Sequence, residues 1–447
     1  MSVVFRLAGL RIDLVLAAAI WIAAPAEAQA PADGPGIDAP ELARPGPYGV
    51  GLHRLTLTQP AQADVLAFDT RTGTAPLRDR VLEVEVWYPA TPARGSKTVT
   101  YADSLPGEPP RGAVAFTVKG AAVRDAPQAM RPGGGFPLVV LSHGYSGTPA
   151  AMTWIAENLA SKGYVVAAPH HRDPDISDRS KAAQPMLRRP LDIAFVAHTL
   201  QVRAQAGQFM SVDPERVALI GYSMGGYGVI TVAGAGLDPK GLPAVGVPGG
   251  YLKPFLRGGE KVRDLVVPGL KAVVAIAPAG GAGFNAWGSD GLADLKTPLL
   301  VIGGDRDRTV GFQDGIKAVF DCAVHADRYL LVFENGGHNI GMNGAPRQMR
   351  AALWDNDWFE DPVWRKARTS SVQQHFITAF LDRFVKGDEA MAAYLDTDAA
   401  ISNDAKWPAA GGGGYAAISP GGPGATWKGF PRNHAVGLEL HHAAPAR

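Results

Sequence analysis

The sequence predicts an α/β fold with a mostly parallel central sheet and helices on both faces. Three observations lead there. Short, continuously apolar runs recur through the middle of the chain, helical patterns separate them, and one run ends in the tight-turn pattern Gly221-Tyr222-Ser223-Met224-Gly225. Strands covered on both faces read as unbroken apolar runs, and their regular alternation with helices marks βαβ units.

Residues 48–57 read as an early strand, and 81–89 alternate at period two, as a half-exposed strand does. Residues 91–135 read as irregular, with Pro and Gly throughout, and 137–141 form the first central strand. Within 149–162, Met152, Ile155, Ala156 and Leu159 share one helical face. A strand at 164–168, a helix at 191–208 and a strand at 217–220 follow. Small apolar residues at 226–235 suit a buried helix. Strands at 271–276 and 298–302, a helix at 313–324 and a last core strand at 329–333 complete the alternation, and Val372, Phe376, Phe380, Leu381 and Phe384 mark a closing helix. Two insertions, about 238–268 and 342–370, break the rhythm. The main domain is therefore placed at 48–395, and 396–447 form a C-terminal extension whose last twenty or so residues are expected on the surface.

Composition narrows the function. The 447 residues are 46% hydrophobic and 19% charged, enough for a large core. With 43 basic and 42 acidic residues, the net charge of +1 argues against nucleic acid or an anionic membrane as partner. The single cysteine, Cys322, excludes an internal disulfide framework. Arg6 and Arg11, an apolar run from Leu14 to Ala24, and the small-x-small sites Ala26-Glu27-Ala28 and Ala28-Gln29-Ala30 make 1–30 an expected cleavable secretory signal. That predicts a periplasmic or secreted protein, with 31–47 as a flexible lead-in. The apolar run is short for a bilayer, and no later stretch suits a stable membrane span.

A serine that attacks a carbonyl must lose its proton to a base, the base must be held, and the forming oxyanion must be stabilised. Ser223 sits where a strand turns sharply into a helix, with its hydroxyl held clear and the first helical N–H groups aimed towards it. For the base, His338 lies on a flexible glycine-rich loop, Gly336-Gly337-His338, just after the last core strand. His170 and His171 precede the nucleophile, His375 is on the closing helix, and His441 and His442 are in the tail. Two aspartates after the 298–302 strand compete to orient the base. Asp307 is favoured, with Asp305 bonding loop backbone N–H groups. For the oxyanion, the turn Ser142-His143-Gly144-Tyr145 offers the Tyr145 N–H, and the Met224 N–H supplies the second donor, with His143 structural. Asp173, Asp175 and Asp178 lack the glycine and terminal glutamate of an EF-hand and read as solvated loop carboxylates. No metal site is expected, and without a Walker or dinucleotide motif no cofactor is expected. Trp354, Trp358 and Trp364 fall at near-helical spacing, which suits either core packing or an acyl pocket.

The chain resembles the α/β-hydrolase superfamily at Val50-Gly51, Val86-Trp87-Tyr88-Pro89, Ser142-His143-Gly144, Gly221-Tyr222-Ser223-Met224-Gly225, Gly303-Gly304-Asp305-Arg306-Asp307, Gly336-Gly337-His338 and Gln374 to Leu381. It looks most like the platelet-activating-factor acetylhydrolase and predicted dienelactone-hydrolase group, over about residues 48 to 395. The chain order Ser223, Asp307, His338 is the order of that superfamily. The resemblance implies a serine hydrolase that cleaves small-molecule carboxylic esters through an acyl-enzyme. Ser223 is then nucleophile, His338 general base and acid, and Asp307 the orienter. Dienelactone hydrolases use cysteine where this chain has Ser223, which argues against that activity. The acetylhydrolases carry their acid one strand earlier, where residues 277–283 hold no carboxylate, which favours Asp307. Tyr145 with Ser-Met-Gly is also similar to polyester-cleaving cutinases, the alternative within enzymes. A non-catalytic binding protein on a hydrolase scaffold is the alternative of another class. The bulky insertions favour short acyl chains.

Overall fold

The computed structural model describes residues 35–131, 134–281, 283–405, 427–431 and 433–446. The expected signal segment 1–30 lies outside them, as do 31–34 of the lead-in and 406–426 of the extension. Twelve strands are described: β1 Gly49–Ala63, β2 Leu77–Ala90, β3 Thr100–Leu105, β4 Val114–Lys119, β5 Val123–Arg124, β6 Phe136–Ser142, β7 Val165–Pro169, β8 Val212–Tyr222, β9 Leu270–Ile276, β10 Leu299–Gly304, β11 Arg328–Phe333 and β12 Leu438–Ala443. Ten of them form one sheet in the order β12-β11-β10-β9-β8-β6-β7-β2-β1-β5, and β3 pairs with β4 apart from it. The run from β11 to β7 is parallel, while β2 meets β7, β1 meets β2 and β12 meets β11 antiparallel. Every residue of β6, β7 and β10 is buried, the continuous apolar pattern that marks them in the sequence.

Helices α1 (Thr153–Ser161), α2 (Ala183–Gln205) and α3 (Met224–Val232) connect the central strands, and a closing helix spans Lys366–Phe384. α2 starts before the expected 191 because Pro190 lies inside it rather than at its edge. A proline has no N–H to offer the carbonyl four residues back, which here is Met186. The Tyr227 hydroxyl on α3 takes that carbonyl instead, at 2.9 Å. The freed group thus becomes a tie between α2 and the helix that follows Ser223.

Three stretches differ from the sequence expectation. The 91–135 segment contains the β3–β4 hairpin, short strands that Pro and Gly on either side obscure. Residues 35–47 of the expected lead-in lie against the body: Leu42 N–H donates to His375 Nδ1 at 3.2 Å, and Ala43 is fully buried. The end of the extension is not a surface tail, because β12 adds an edge strand to β11 and buries Leu438 and Leu440. Trp427 is fully buried against Phe376 and Phe430, with its Nε1 on the Ala399 carbonyl at 3.0 Å. Trp427→Ala should therefore cost about 3–5 kcal/mol, read as a lower denaturation midpoint. An unchanged midpoint would show that this end of the chain contributes nothing to the core.

Candidate active site

Ser223 stands between β8 and α3 with φ 53° and ψ −116°. A non-glycine residue in that region is strained, and the surroundings hold it there. Its N–H donates to Ile276 O at 2.9 Å, and its carbonyl accepts from Ala279 N at 2.9 Å and Tyr227 N at 3.2 Å. The turn closes only over glycines. A Cβ on Gly221 would meet Gly225 O at 2.2 Å, and one on Gly225 would meet Ser142 O at 2.1 Å. The second contact presses the start of α3 against the end of β6, where the expected oxyanion turn begins.

The structure brings Ser223, His338 and Asp307 into one line. Ser223 Oγ is 3.1 Å from His338 Nε2, and His338 Nδ1 is 2.7 Å from Asp307 Oδ2. The other carboxyl oxygen, Asp307 Oδ1, accepts from the N–H groups of Thr309 at 2.8 Å and Val310 at 3.0 Å. Burial pushes the Asp307 carboxyl up. The His338 hydrogen bond and charge, with the two backbone N–H groups, outweigh it and hold the group below its ordinary value. Asp305 faces elsewhere: it accepts from Asn335 N at 2.6 Å.

The loop that carries His338 is not free to swing, contrary to the expectation from its glycines. Four successive carbonyls are each held by a side chain from another part of the fold. Tyr222 Oη donates to His338 O at 3.2 Å, Lys366 Nζ to Asn339 O at 2.5 Å, Gln373 Nε2 to Ile340 O at 2.8 Å and Trp154 Nε1 to Gly341 O at 2.9 Å. On the near side, Gly337 N–H donates to Asp361 Oδ2 at 2.6 Å. Lys366 is buried, which lowers its ammonium to about 8 against the opposing pull of Glu360 and Asp361. The Tyr222 ring also packs beside the imidazole, 5.3 Å between centroids.

Gly144 brings the 142–147 turn against the serine. A Cβ there would lie 3.2 Å from the Tyr222 ring and 3.5 Å from Ser223 Cβ. The Tyr145 and Met224 N–H groups belong to the two segments that meet there, and among the described residues neither donates to a protein acceptor. His143 is fully inside, with Nδ1 on Gly144 O at 2.7 Å and Nε2 accepting from His171 N at 3.1 Å.

The remaining candidates sit elsewhere. Trp354 and Trp358 both donate to Pro106 O, at 3.3 and 3.1 Å, and Trp364 donates to Glu334 O at 2.8 Å with its ring edge-on to Phe333. They pin the second insertion to its neighbours. Asp173 pairs with Arg189, while Asp175 and Asp178 accept from Ser177 and Ser180. Among the described residues no cluster of three or more His, Cys, Asp or Glu is placed to hold a metal ion. Tyr222, Lys366, Gln373 and Arg189 escape the sequence reading. The available signal for Arg189 is Arg188-Arg189-Pro190 with Asp192, charge set into a stretch that must pack against the sheet.

Comparison with known proteins adds three kinds of finding. A segment of 105 residues is 32% identical to Cutinase 1 of Thermobifida cellulosilytica, covering 24% of this chain and 37% of that protein. The same length is 32% identical to a cutinase of Thermobifida fusca (strain YX), covering 24% of this chain and 32% of that one. The match thus spans about a third of each cutinase. A ferulic acid esterase from Streptomyces cinnamoneus superposes with a TM-score of 0.49 at 20% identity, over 78% of this chain and 94% of that one. The model of platelet-activating factor acetylhydrolase, isoform II, matches residues 46–189, in line with the resemblance at those strands. The model of the alpha/beta hydrolase family matches residues 139–412, more than half the chain and the part that carries Ser223, Asp307 and His338. The sheet order and this match together settle the family: the chain belongs to the alpha/beta hydrolases.

Proposed function

We propose that the protein is an exported serine hydrolase of small carboxylic esters with short acyl groups. The observation that carries the reading is the line from Ser223 Oγ through His338 to Asp307, at 3.1 and 2.7 Å. In the proposed reaction His338 Nε2 takes the hydroxyl proton as Ser223 Oγ bonds to the ester carbonyl carbon. Asp307 compensates the imidazolium that forms, and the Tyr145 and Met224 N–H groups receive the oxyanion. The imidazolium then protonates the departing alkoxide. Water, deprotonated by the same nitrogen, then attacks the acyl carbon; the bond to Ser223 Oγ breaks, the imidazolium returns its proton to Oγ, and the acid leaves. No cofactor enters these steps.

The acyl preference is supported by how the insertions are fixed. The segment at 342–370 leaves the His338 loop directly and is anchored on the β3–β4 side. Arg111 pairs with Asp355, and Phe116 meets Phe359 edge-on at 5.5 Å. The segment at 238–268 is tied by Tyr251 Oη, which accepts from Ala75 N at 2.7 Å. Segments fixed in this way, as walls on the acyl side of Ser223, would favour acetyl to butyryl groups, because a methylene that fits gains only about 0.8 kcal/mol while one that does not meets a barrier. The cutinase similarity favours the second reading, an open site acting on polyester.

Two measurements test the proposal, the first its nucleophile and the second its acyl preference. A fluorophosphonate should label Ser223 in the folded protein; a folded chain that stays unlabelled would point to a binding protein on this scaffold. Across p-nitrophenyl acetate to palmitate, kcat/KM should fall with acyl length. Faster turnover of palmitate, or release of soluble acid from polyester film, would transfer the chain to the cutinase-like reading.

A further inference from the structure

The chain holds a second Ser–His–Asp set, entirely below the surface. Ser142 Oγ is 2.9 Å from His171 Nε2, and His171 Nδ1 is 3.0 Å from Asp192 Oδ2. Ser142 and Asp192 are fully buried and His171 is 1% exposed, so no ester reaches this hydroxyl. The neighbours fix its protons. Burial, reinforced by the Arg189 charge, lowers His171 to about 4, so the imidazole is neutral. Its Nδ1–H donates to Asp192. Burial would raise that carboxyl, but Arg80, the His171 hydrogen bond and Arg188 hold it far below its ordinary value. His171 Nε2 then accepts the Ser142 O–H, and Ser142 Oγ accepts in turn from Arg189 Nη1 at 3.2 Å.

Arg189, itself fully buried, reaches along the same turn. Its Nη1 donates to His143 O, and its Nη2 to Gly144 O at 2.9 Å and to Asp173. Asp173 Oδ2 accepts the Ser146 N–H at 3.0 Å. Groups on Ser142, His143, Gly144 and Ser146 are therefore tied to one guanidinium or its carboxylate partner. The Tyr145 N–H lies between them. A buried ion pair is a poor source of stability compared with an apolar pair of the same shape. A planar guanidinium is, however, well suited to spanning several acceptors at once.

We propose that Arg189, together with Asp173, is the positioning residue of the oxyanion turn, and that the buried Ser142–His171–Asp192 set is its anchor rather than a second nucleophile. The inference rests on the ester-hydrolase reading above. Arg189 touches no reacting atom. It fixes the direction of the Tyr145 N–H before the substrate arrives, so that the donor need not reorganise as charge forms.

The test uses the full chain with Arg189→Lys and Asp173→Asn. Active sites are counted by fluorophosphonate titration, kcat and KM are measured on p-nitrophenyl acetate per titrated site, and inhibition by a trifluoromethyl ketone reports the tetrahedral adduct. Lysine keeps the charge opposite Asp173 but cannot span the carbonyls. In Arg189→Lys, kcat per site should fall about 10–100-fold, and the ketone should weaken by the same factor. KM should stay within about twofold, the mark of an interaction made only in the transition state. Asp173→Asn should show the same split to a smaller degree, and it decides the matter alone if Arg189→Lys does not fold. Fewer titratable sites with unchanged kcat per site would mean a structural role only and overturn the proposal. A wild-type chain that neither titrates nor turns over would overturn the ester-hydrolase reading and this one with it.

Discussion

Ser223→Ala is expected to lower kcat by roughly 10⁴–10⁶ without moving the thermal unfolding midpoint. The hydroxyl is one atom on a half-exposed residue, and the backbone bonds of Ser223 to Ile276, Ala279 and Tyr227 do not involve it. His338→Ala should cost a similar factor, because without the imidazole the hydroxyl keeps its proton. The double variant should be little worse than either single one, since the two groups act as a unit. Steady-state turnover of a short p-nitrophenyl ester, beside circular dichroism melts, reads all three. Undiminished activity in Ser223→Ala would sink the assignment of nucleophile.

Asp307→Asn is the second large effect, roughly 10²–10⁴ in kcat. The amide fills the same space but cannot compensate the imidazolium, and it can turn its NH₂ towards Nδ1 and select the wrong tautomer. Asp305→Asn should leave kcat near wild type and cost about 1 kcal/mol of stability, because its partner is the Asn335 N–H. The opposite pattern would move the acid two residues back. The sign of the pH effect follows from the direction of the Asp307 shift. A carboxyl held below its ordinary value contributes stability that is fully present above pH ~4 and is lost as the pH falls through the lowered value. Asp307→Asn should therefore flatten part of the acid limb of a stability profile.

How much of this is legible in the sequence depends on how local each signal is. β6, β7, β9, β10 and β11 announce themselves because burial on both faces leaves each with a continuous apolar run, polar residues such as Lys271, Arg328 and Ser142 falling only near the strand ends. Ser223, Asp307 and His338 are legible as candidates because each follows a core strand in distinctive local sequence, Ser223 directly after β8 and the other two on the loops that leave β10 and β11. β12 is missed because Leu438-Glu439-Leu440 is short, half-exposed and preceded by a Gly/Pro-rich stretch. The fixed His338 loop is missed for a different reason. Its glycines describe what the backbone can do, while Trp154, Tyr222, Lys366 and Gln373, which restrain it, come from distant places in the chain. Arg189 is hidden likewise, since nothing adjacent to it says that its acceptors are the carbonyls of 143 and 144.

The edge strand β12 has a bearing on how such a chain is handled and expressed. β11 leads straight into the His338 loop, and until residues 438–443 dock, its outer row of N–H and C=O groups stands open. An open edge pairs readily with whatever strand is nearest. At high concentration the nearest strand belongs to another molecule, so trimmed or slowly maturing chains are the ones that would precipitate. A purification tag placed directly after residue 443 would crowd that docking step, and a spacer there would spare it.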